Sequence, residues 1–376
     1  MHPTARDTLL AAVDAGWADP RRLYAEARTA RRLLDQAREV LAAGMGVRPS
    51  EVCFAPDGPS ALRLAVEGLR YAGRRRGARL VASAVEHSAV LVPGRDLAVR
   101  ADDPTLLDEV GVDRMGRLEL TRFAAALTLP GTVAAAVQHA NGEVGTLQPT
   151  DEAHEVARRA GVPLVVDAQA SLGRVAPPAG YDVLAGDARS WGGPGGLGLV
   201  VLPERTAWAL PGASDPDEVL VGPTRHTPWV PLALAAAEAW QQSEAAREED
   251  AREAHSLIDV LRAAAAAVPD VEVVGDPVQR LPHVLTFSAL YADGESLVRH
   301  FDRLGFAIAS GSACTASTLE PSHVLAAMGV LTHGNVRVTL PLAAVAPGRA
   351  EAVGRFALAI GEVVSAVRRE LGVQGL

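Results

Sequence analysis

The chain contains no lysine: all 36 of its basic residues are arginine. Ordinary amino-acid usage would place on the order of 20 lysines in a chain of this length. A GC-rich codon bias, visible also in the alanine runs, accounts for most of that loss. The chemical consequence holds whatever the origin: no side-chain amine is available to form a Schiff base. Cysteine is scarce as well. Cys53 and Cys314 are the only two, which excludes a disulfide framework. Long apolar runs are missing, and none approaches the roughly 20 residues needed to span a bilayer. The opening MHPTARDTLL lacks the basic segment and apolar core of a secretory signal, so a cytoplasmic protein that engages no membrane is expected. An excess of positive charge is missing too. The formal net charge is −9, which gives no broad electrostatic drive toward nucleic acid.

What is present reads as a globular chain of two domains. Of the 376 residues, 48% are hydrophobic and 22% charged, enough apolar material for two cores. The first two-thirds alternate helical and extended patterns. Residues 21–44, Ser60–Tyr71 and Asp151–Ala160 have helical periodicity. Glu51–Phe54, Arg79–Ser83, Thr132–Gln138, Val162–Val166, Val183–Gly186 and Gly198–Leu202 read as strands. Such alternation predicts an α/β fold with a mostly parallel, doubly wound sheet, in which ligands gather at the carboxyl ends of strands. His87, Asn141, Asp167 and the 187–196 loop all fall at such ends. From Pro231 the pattern changes to a long Ala- and Glu-rich helix. Strands at His283–Ser288, Ala307–Ser310 and Asn335–Leu340 follow, with helices at Glu295–Leu304 and Ser322–Met328 and a long helix to about Leu371. A large domain over 1–240 and a smaller α+β domain over 241–376 are expected.

One segment carries a specific signature. SGSACTASTLEPSHVLAAMG, Ser310–Gly329, sets a single thiol, Cys314, among small residues that leave the backbone free to move. It resembles the active-site cysteine loop of the class I cysteine desulfurases, class V members of the fold-type-I pyridoxal phosphate (PLP) transferases. The likeness extends through HANGEV (His139–Val144), VVDAQASLG (Val165–Gly173), VEHSAV (Val85–Val90), HTPWV (His226–Val230) and NVRVTL (Asn335–Leu340). The resemblance implies a role for each matching residue. Cys314 would carry persulfide, and His87 would stack on the cofactor ring. Asn141 would contact the ring oxygen, and Asp167 would pair with the pyridine nitrogen so that the ring acts as an electron sink. Arg337 would clamp the substrate carboxylate through its bidentate guanidinium. Thr227 would reach the phosphate from the partner subunit, which implies a dimer.

The chain departs from the family where the cofactor is held. The family's lysine precedes a Gly-Pro turn by three residues, and in GDARSWGGPGGLG (Gly186–Gly198) that position is Ser190. A hydroxyl forms no aldimine and is a poor base for the α-proton. Asp187 stands where relatives have a phosphate-binding Ser, and Arg189 stands at the family's His. In APDGPSA (Ala55–Ala61) Pro59 falls on a phosphate-binding Thr and has no N–H to offer, and Asp57 adds a carboxylate. One unit-charge repulsion there, at ~5 Å and an effective dielectric near 20, costs roughly 3 kcal/mol. Ala170 stands where relatives have a Gln near the ring oxygen, and this chain's Gln169 lies one position early. The resemblance therefore brings PLP as the family cofactor, while the residues argue against its covalent attachment. A cysteine-desulfurase-like protein without an aldimine is expected. It would serve as a persulfide relay, or as partner or regulator of a sulfur-transfer enzyme, as a homodimer or a heterodimer with a lysine-bearing desulfurase, and pass sulfur to an acceptor protein. Two alternatives stand beside it: an enzyme using PLP or its amine form non-covalently, and a binding module without sulfur chemistry.

Overall fold

The computed structural model describes residues 1–212, 223–310 and 321–373. Contacts divide the chain into two compact units. The first comprises Met1–Val110, Glu119–His139 and Gln148–Arg247. The second comprises Glu248–Leu376 together with two short segments from the first half, Gly111–Leu118 and Ala140–Leu147.

The first unit is built on a seven-stranded sheet. Its helices are α1 (Pro3–Ala12), α2 (Ala25–Met45), α3 (Gly58–Gly73), α4 (Ser88–Arg100), α5 (Leu120–Leu127) and α6 (Thr150–Ala160). Its strands are β1 (Val52–Ala55), β2 (Arg79–Ser83), β3 (Leu107–Val110), β4 (Thr132–Gln138), β5 (Leu164–Asp167), β6 (Val183–Asp187) and β7 (Gly198–Val201). They lie in the order β1-β7-β6-β5-β4-β2-β3. Neighbours from β3 to β6 are parallel, and β7 runs antiparallel to both β6 and β1. Central strands such as β5 (LVVD) and β7 (GLVV) are buried along their whole length, as strands covered on both faces must be. Ala134 and Ala136 of β4, with Ala61, Leu62, Ala65 and Leu69 of α3, belong to one buried cluster. The parallel arrangement brings the carboxyl ends of β2, β4, β5 and β6 to one edge, and these ends carry Glu86–His87, Gln138–His139, Asp167 and Asp187.

Helix α7 (Val230–Ala266) leads into the second unit. There β8 (Val271–Val274), β9 (Val284–Ala289) and β10 (Asn335–Thr339) form an antiparallel sheet in the order β10-β9-β8. Helices α8 (Gly294–Arg303), α9 (His323–Met328) and α10 (Arg349–Glu370) accompany it. The core includes Phe287, Leu297, Phe301, Phe356, Ile360 and Val364, and the Phe301 and Phe356 rings stack at 4.5 Å. The expected strand at Ala307–Ser310 is not one. Ala309 makes a single antiparallel bridge to Arg337, and its small neighbours supply no β-branched surface beyond Ile308 to extend the ladder. Among the described residues no helix is long and apolar enough to cross a membrane.

Candidate functional site

The site edge of the first unit is shaped by helix starts. Helix α3 begins at Gly58, directly after β1 and a two-residue turn. An α-helix leaves its first N–H groups without intrahelical partners, and that end attracts anions. Here every such group is satisfied from within the chain. The Gly58 N–H donates to Asp187 Oδ2 at 2.9 Å. Pro59 has none. The Ser60 N–H donates to Asp57 Oδ1 at 2.7 Å, and the Ala61 N–H to the Asp57 carbonyl at 2.9 Å. Asp57 is thus an N-cap residue of the usual kind, and the Ser60 bond holds its carboxyl below its ordinary pKa.

Asp187 is the central group of this arrangement. It ends β6 and is 4% exposed. Its Oδ1 accepts from the Arg189 N–H and from Arg189 Nε, both at 2.9 Å, and its Oδ2 accepts from Arg189 Nη2 at 2.9 Å as well as from Gly58. The carboxylate is therefore held in a bidentate fork and capped by a helix dipole. The fit is close. A Cβ on Gly58 would run into Gln169 Oε1 and come within 2.7 Å of Asp187 Cβ. The turn continues through Ser190, whose Oγ donates to the Asp187 carbonyl at 2.9 Å and whose own carbonyl accepts from Arg174 Nε at 2.7 Å.

Beside it lies a second group of acids. Asp167, at the end of β5, accepts from the Gln169 N–H at 2.9 Å and from Gln169 Nε2 at 3.1 Å. Burial pushes its pKa up, against the pull of those bonds and of His87. Glu86 is fully buried and accepts from the Gln138 N–H at 2.6 Å. Burial, and then the charge of Asp167, drive its pKa well above the ordinary range. His87 is the N-cap of α4, and its Nδ1 accepts from the Ala89 N–H at 3.0 Å. That bond requires a bare Nδ1, so a neutral ring carries its proton on Nε2. His139 sits half-buried with Nδ1 2.9 Å from Ser171 Oγ; burial lowers its pKa to about 4. Glu86 and His139 have no role in the sequence reading. The signal available was position alone, since His139 directly follows β4 and Glu86 lies in the turn after β2.

The remaining residues singled out in the sequence divide between the units. Thr227 lies half-buried in the first unit, in an irregular segment anchored by Thr224 Oγ1 on the Phe54 carbonyl at 2.8 Å. Asn141 and Arg337 belong to the second unit. Asn141 Oδ1 accepts from the N–H groups of Glu143 and Val144 at 2.8 and 2.9 Å. Arg337 lies on β10, with Nη1 3.5 Å from the Gly142 carbonyl. Cys314 lies outside the described residues. Cys53 lies in β1 at 1% exposure, and burial pushes its thiol up to about 11.

Comparison with known proteins identifies the family. The class-V aminotransferase family matches residues 15–346, and the chain belongs to it. A cysteine desulfurase IscS of Dictyoglomus turgidum is 30% identical over 336 residues, covering 86% of this chain and 82% of the relative. An IscS-like cysteine desulfurase of Mycobacterium tuberculosis is 33% identical over 357 residues, covering 90% and 88%. Among solved structures, a NifS-like protein superposes with a TM-score of 0.85 at 21% identity over 96% of both chains, a likeness of fold. DndA from Streptomyces lividans matches with a TM-score of 0.74 at 27% identity, covering 90% of this chain and 96% of that one. The chain is a cysteine-desulfurase-like member of its family.

The residues of the first unit do not fit the cofactor that the resemblance brings. The chain has no side-chain amine for an aldimine. The helix end that suits a phosphate already holds the Asp187 carboxylate, and none of the first four residues of α3 keeps a free N–H. A phosphate brought to ~4 Å from that carboxylate would meet a repulsion of about 4 kcal/mol per unit charge pair at an effective dielectric of 20.

Proposed function

We propose that this chain is a cofactor-free member of its family that works in sulfur transfer, accepting persulfide on Cys314 as the partner of a lysine-bearing relative. The observation that carries the proposal is the Asp187 carboxylate seated on the first N–H of α3. An internal anion there supports a fold that needs no phosphate, and Ser190, bonded to the Asp187 carbonyl, offers no chemistry in place of an amine. The cysteine loop is what the chain retains that such a partner can use. In the transfer, the Cys314 thiolate attacks the terminal sulfur of the donor's persulfide. The donor S–S bond breaks as the new one forms, and the donor leaves as thiolate, so no oxidant is consumed. The proposal assumes a cytoplasmic setting, where reductants keep the acceptor thiol free.

The test uses full-length protein mixed with an active cysteine desulfurase and L-cysteine, with peptide masses read before and after reduction. The expected result is one added sulfur on the Cys314 peptide, absent in Cys314→Ser and removed by reductant. In parallel, protein purified with added PLP is expected to show no cofactor absorbance and, after borohydride, no pyridoxyl group on any internal peptide. Absence of sulfur on Cys314 would overturn the relay, and a pyridoxyl adduct would overturn the cofactor-free reading.

A further inference from the structure

Residues 70–79 read RYAGRRRGAR: five arginines and no acid, in a chain whose formal net charge is −9. The stretch closes α3 and leads into β2. It therefore lies at the amino ends of the parallel strands, on the edge away from Glu86–His87, Asp167 and Asp187. The turn is built from within. The Arg76 N–H donates to the Gly73 carbonyl at 2.8 Å, and the Arg79 N–H to the Gly131 carbonyl at 2.9 Å. Gly77 packs so closely that a Cβ there would run into the Gly131 backbone. Two arginines brace the ends: Arg70 Nη2 donates to the Ala78 carbonyl at 3.0 Å, and Arg79 Nε to the Pro130 carbonyl at 3.3 Å. The Arg74 guanidinium lies over the Tyr71 ring at 3.9 Å, and its Nη1 donates to the Tyr71 carbonyl at 2.6 Å. Arg74, Arg75 and Arg76 are all exposed, and none of the three pairs with an acid among the described residues.

A helix end favours cations, because its last carbonyls carry partial negative charge. The neighbouring helices at the same edge show the ordinary form of this. Arg100 at the end of α4 pairs with Asp96 at 2.8 Å, and Arg158 and Arg159 at the end of α6 pair with Glu155 at 3.0 and 2.9 Å. The end of α3 differs, with three consecutive guanidiniums unmatched. The two acids nearby act on the bracing residues instead: Glu67 on Arg70, and Arg79 on Asp103. Asp103 is itself committed to the N–H and hydroxyl of Thr105. A fixed turn and a stacked guanidinium reduce the ordering that binding costs. We propose that the Arg74–Arg76 turn is a docking point for a short acidic segment of a protein partner, held by charge-assisted hydrogen bonds from guanidinium to carboxylate. Three arginines on an otherwise acidic chain match a short run of Asp or Glu. A long phosphate backbone would extend past them onto surface of its own sign. The proposal stands independently of sulfur transfer on Cys314, and a partner seated here leaves the carboxyl ends of the strands uncovered.

Fluorescence anisotropy of labelled hexaglutamate titrated with the full chain tests this. Binding is expected at low salt and is expected to fall as salt is raised. Arg74→Gln, Arg75→Gln and Arg76→Gln together are expected to weaken it about 10-fold or more, as for the loss of three exposed charge pairs. A control that removes the same charge elsewhere, Arg6→Gln, Arg28→Gln and Arg32→Gln together, is expected to leave it unchanged. Unchanged melting temperatures and far-ultraviolet spectra establish that both variants fold. Arg75→Glu alone, which touches none of the bonds that hold the turn, is expected to weaken binding in the same direction. An oligothymidylate matched in charge is expected to bind no more tightly than hexaglutamate. Failure of the parent chain to bind hexaglutamate, equal losses in the two triple variants, or an indifferent Arg75→Glu overturns the docking point. Tighter binding of the oligothymidylate, lost in the first triple variant, overturns it in favour of a nucleic-acid partner.

Discussion

Ser190 and Asp187 sit three residues apart on one turn, and the proposed function gives each a different consequence. On the proposed reading, Ser190 stands in place of the nucleophilic amine, and Asp187 takes the room of an anion. Restoring only the first is therefore not enough. Ser190→Lys is expected to show no desulfurase activity and no borohydride-stable adduct at Lys-containing peptides, because Asp187 still occupies the Gly58 N–H. Sulfide release from L-cysteine with added PLP checks this, and turnover by the single variant would contradict it. His139 offers a prediction of another kind. Its pKa falls from 6.5 to about 4 in the folded chain, so between those values the unfolded chain binds a proton that the folded chain refuses. Its contribution to stability is whole above pH 6.5, declines as pH falls toward 4, and stops changing below that. The loss is on the order of 3 kcal/mol for a shift of this size. The buried carboxyls with raised pKa work in the opposite direction, so the informative quantity is a difference between proteins. Urea unfolding of the chain and of His139→Gln from pH 7 to 4 is expected to give a shallower decline in the variant. Parallel curves would exclude His139 as the source.

At the scale of elements, α3 shows how a helix start can be completed from elsewhere in the chain. Asp187→Ala strips the Gly58 N–H of its acceptor in a buried place, which costs about 1–3 kcal/mol. The same variant exposes an anion-binding helix end. Inorganic phosphate is accordingly expected to raise the melting temperature of Asp187→Ala and to leave that of the parent chain unmoved; equal responses would mean that Asp187 does not occupy the anion position. Most of the central sheet was legible beforehand, since β4 through β7 are apolar runs bounded by polar or glycine-rich turns. The edges were not. In β3 (LDEV) and β8 (VEVV) only the last residue is buried, so their sequences carry the acids of exposed strands and no alternation long enough to register. Helix α4 was hidden by Pro93 and Gly94 inside it, residues that read as a break. The aligned position of Asp187 was visible in the sequence, but its bond to Gly58 was not. The two are separated by 129 residues, and no local pattern encodes a contact of that range. The same holds for the Ser322 hydroxyl and the Glu143 carboxylate, which bond across 179 residues.

For the whole molecule, the two cysteines are expected to behave as different chemical species. Cys53 is buried with a thiol pKa of about 11, so iodoacetamide under native conditions should leave it unlabelled while Cys314 reacts. Equal protection of both would remove the support for a sulfur-carrying loop. We further expect an assembly of two chains, either two copies or one copy with a lysine-bearing relative, because the family resemblance assigns Thr227 to a neighbour's site. Sedimentation at micromolar concentration, alone and after co-expression with such a relative, tests this, and a stable monomer in both would count against it.

The internal carboxylate on α3 also changes how the protein responds to its surroundings. A diffusible ligand stabilises a fold by mass action, in proportion to the logarithm of its concentration over its dissociation constant, and dialysis removes that contribution. Asp187 is tethered, so its effective concentration at the Gly58 N–H is set by chain geometry and not by supply. On the cofactor-free proposal, purification with or without PLP is therefore expected to leave the melting temperature unchanged.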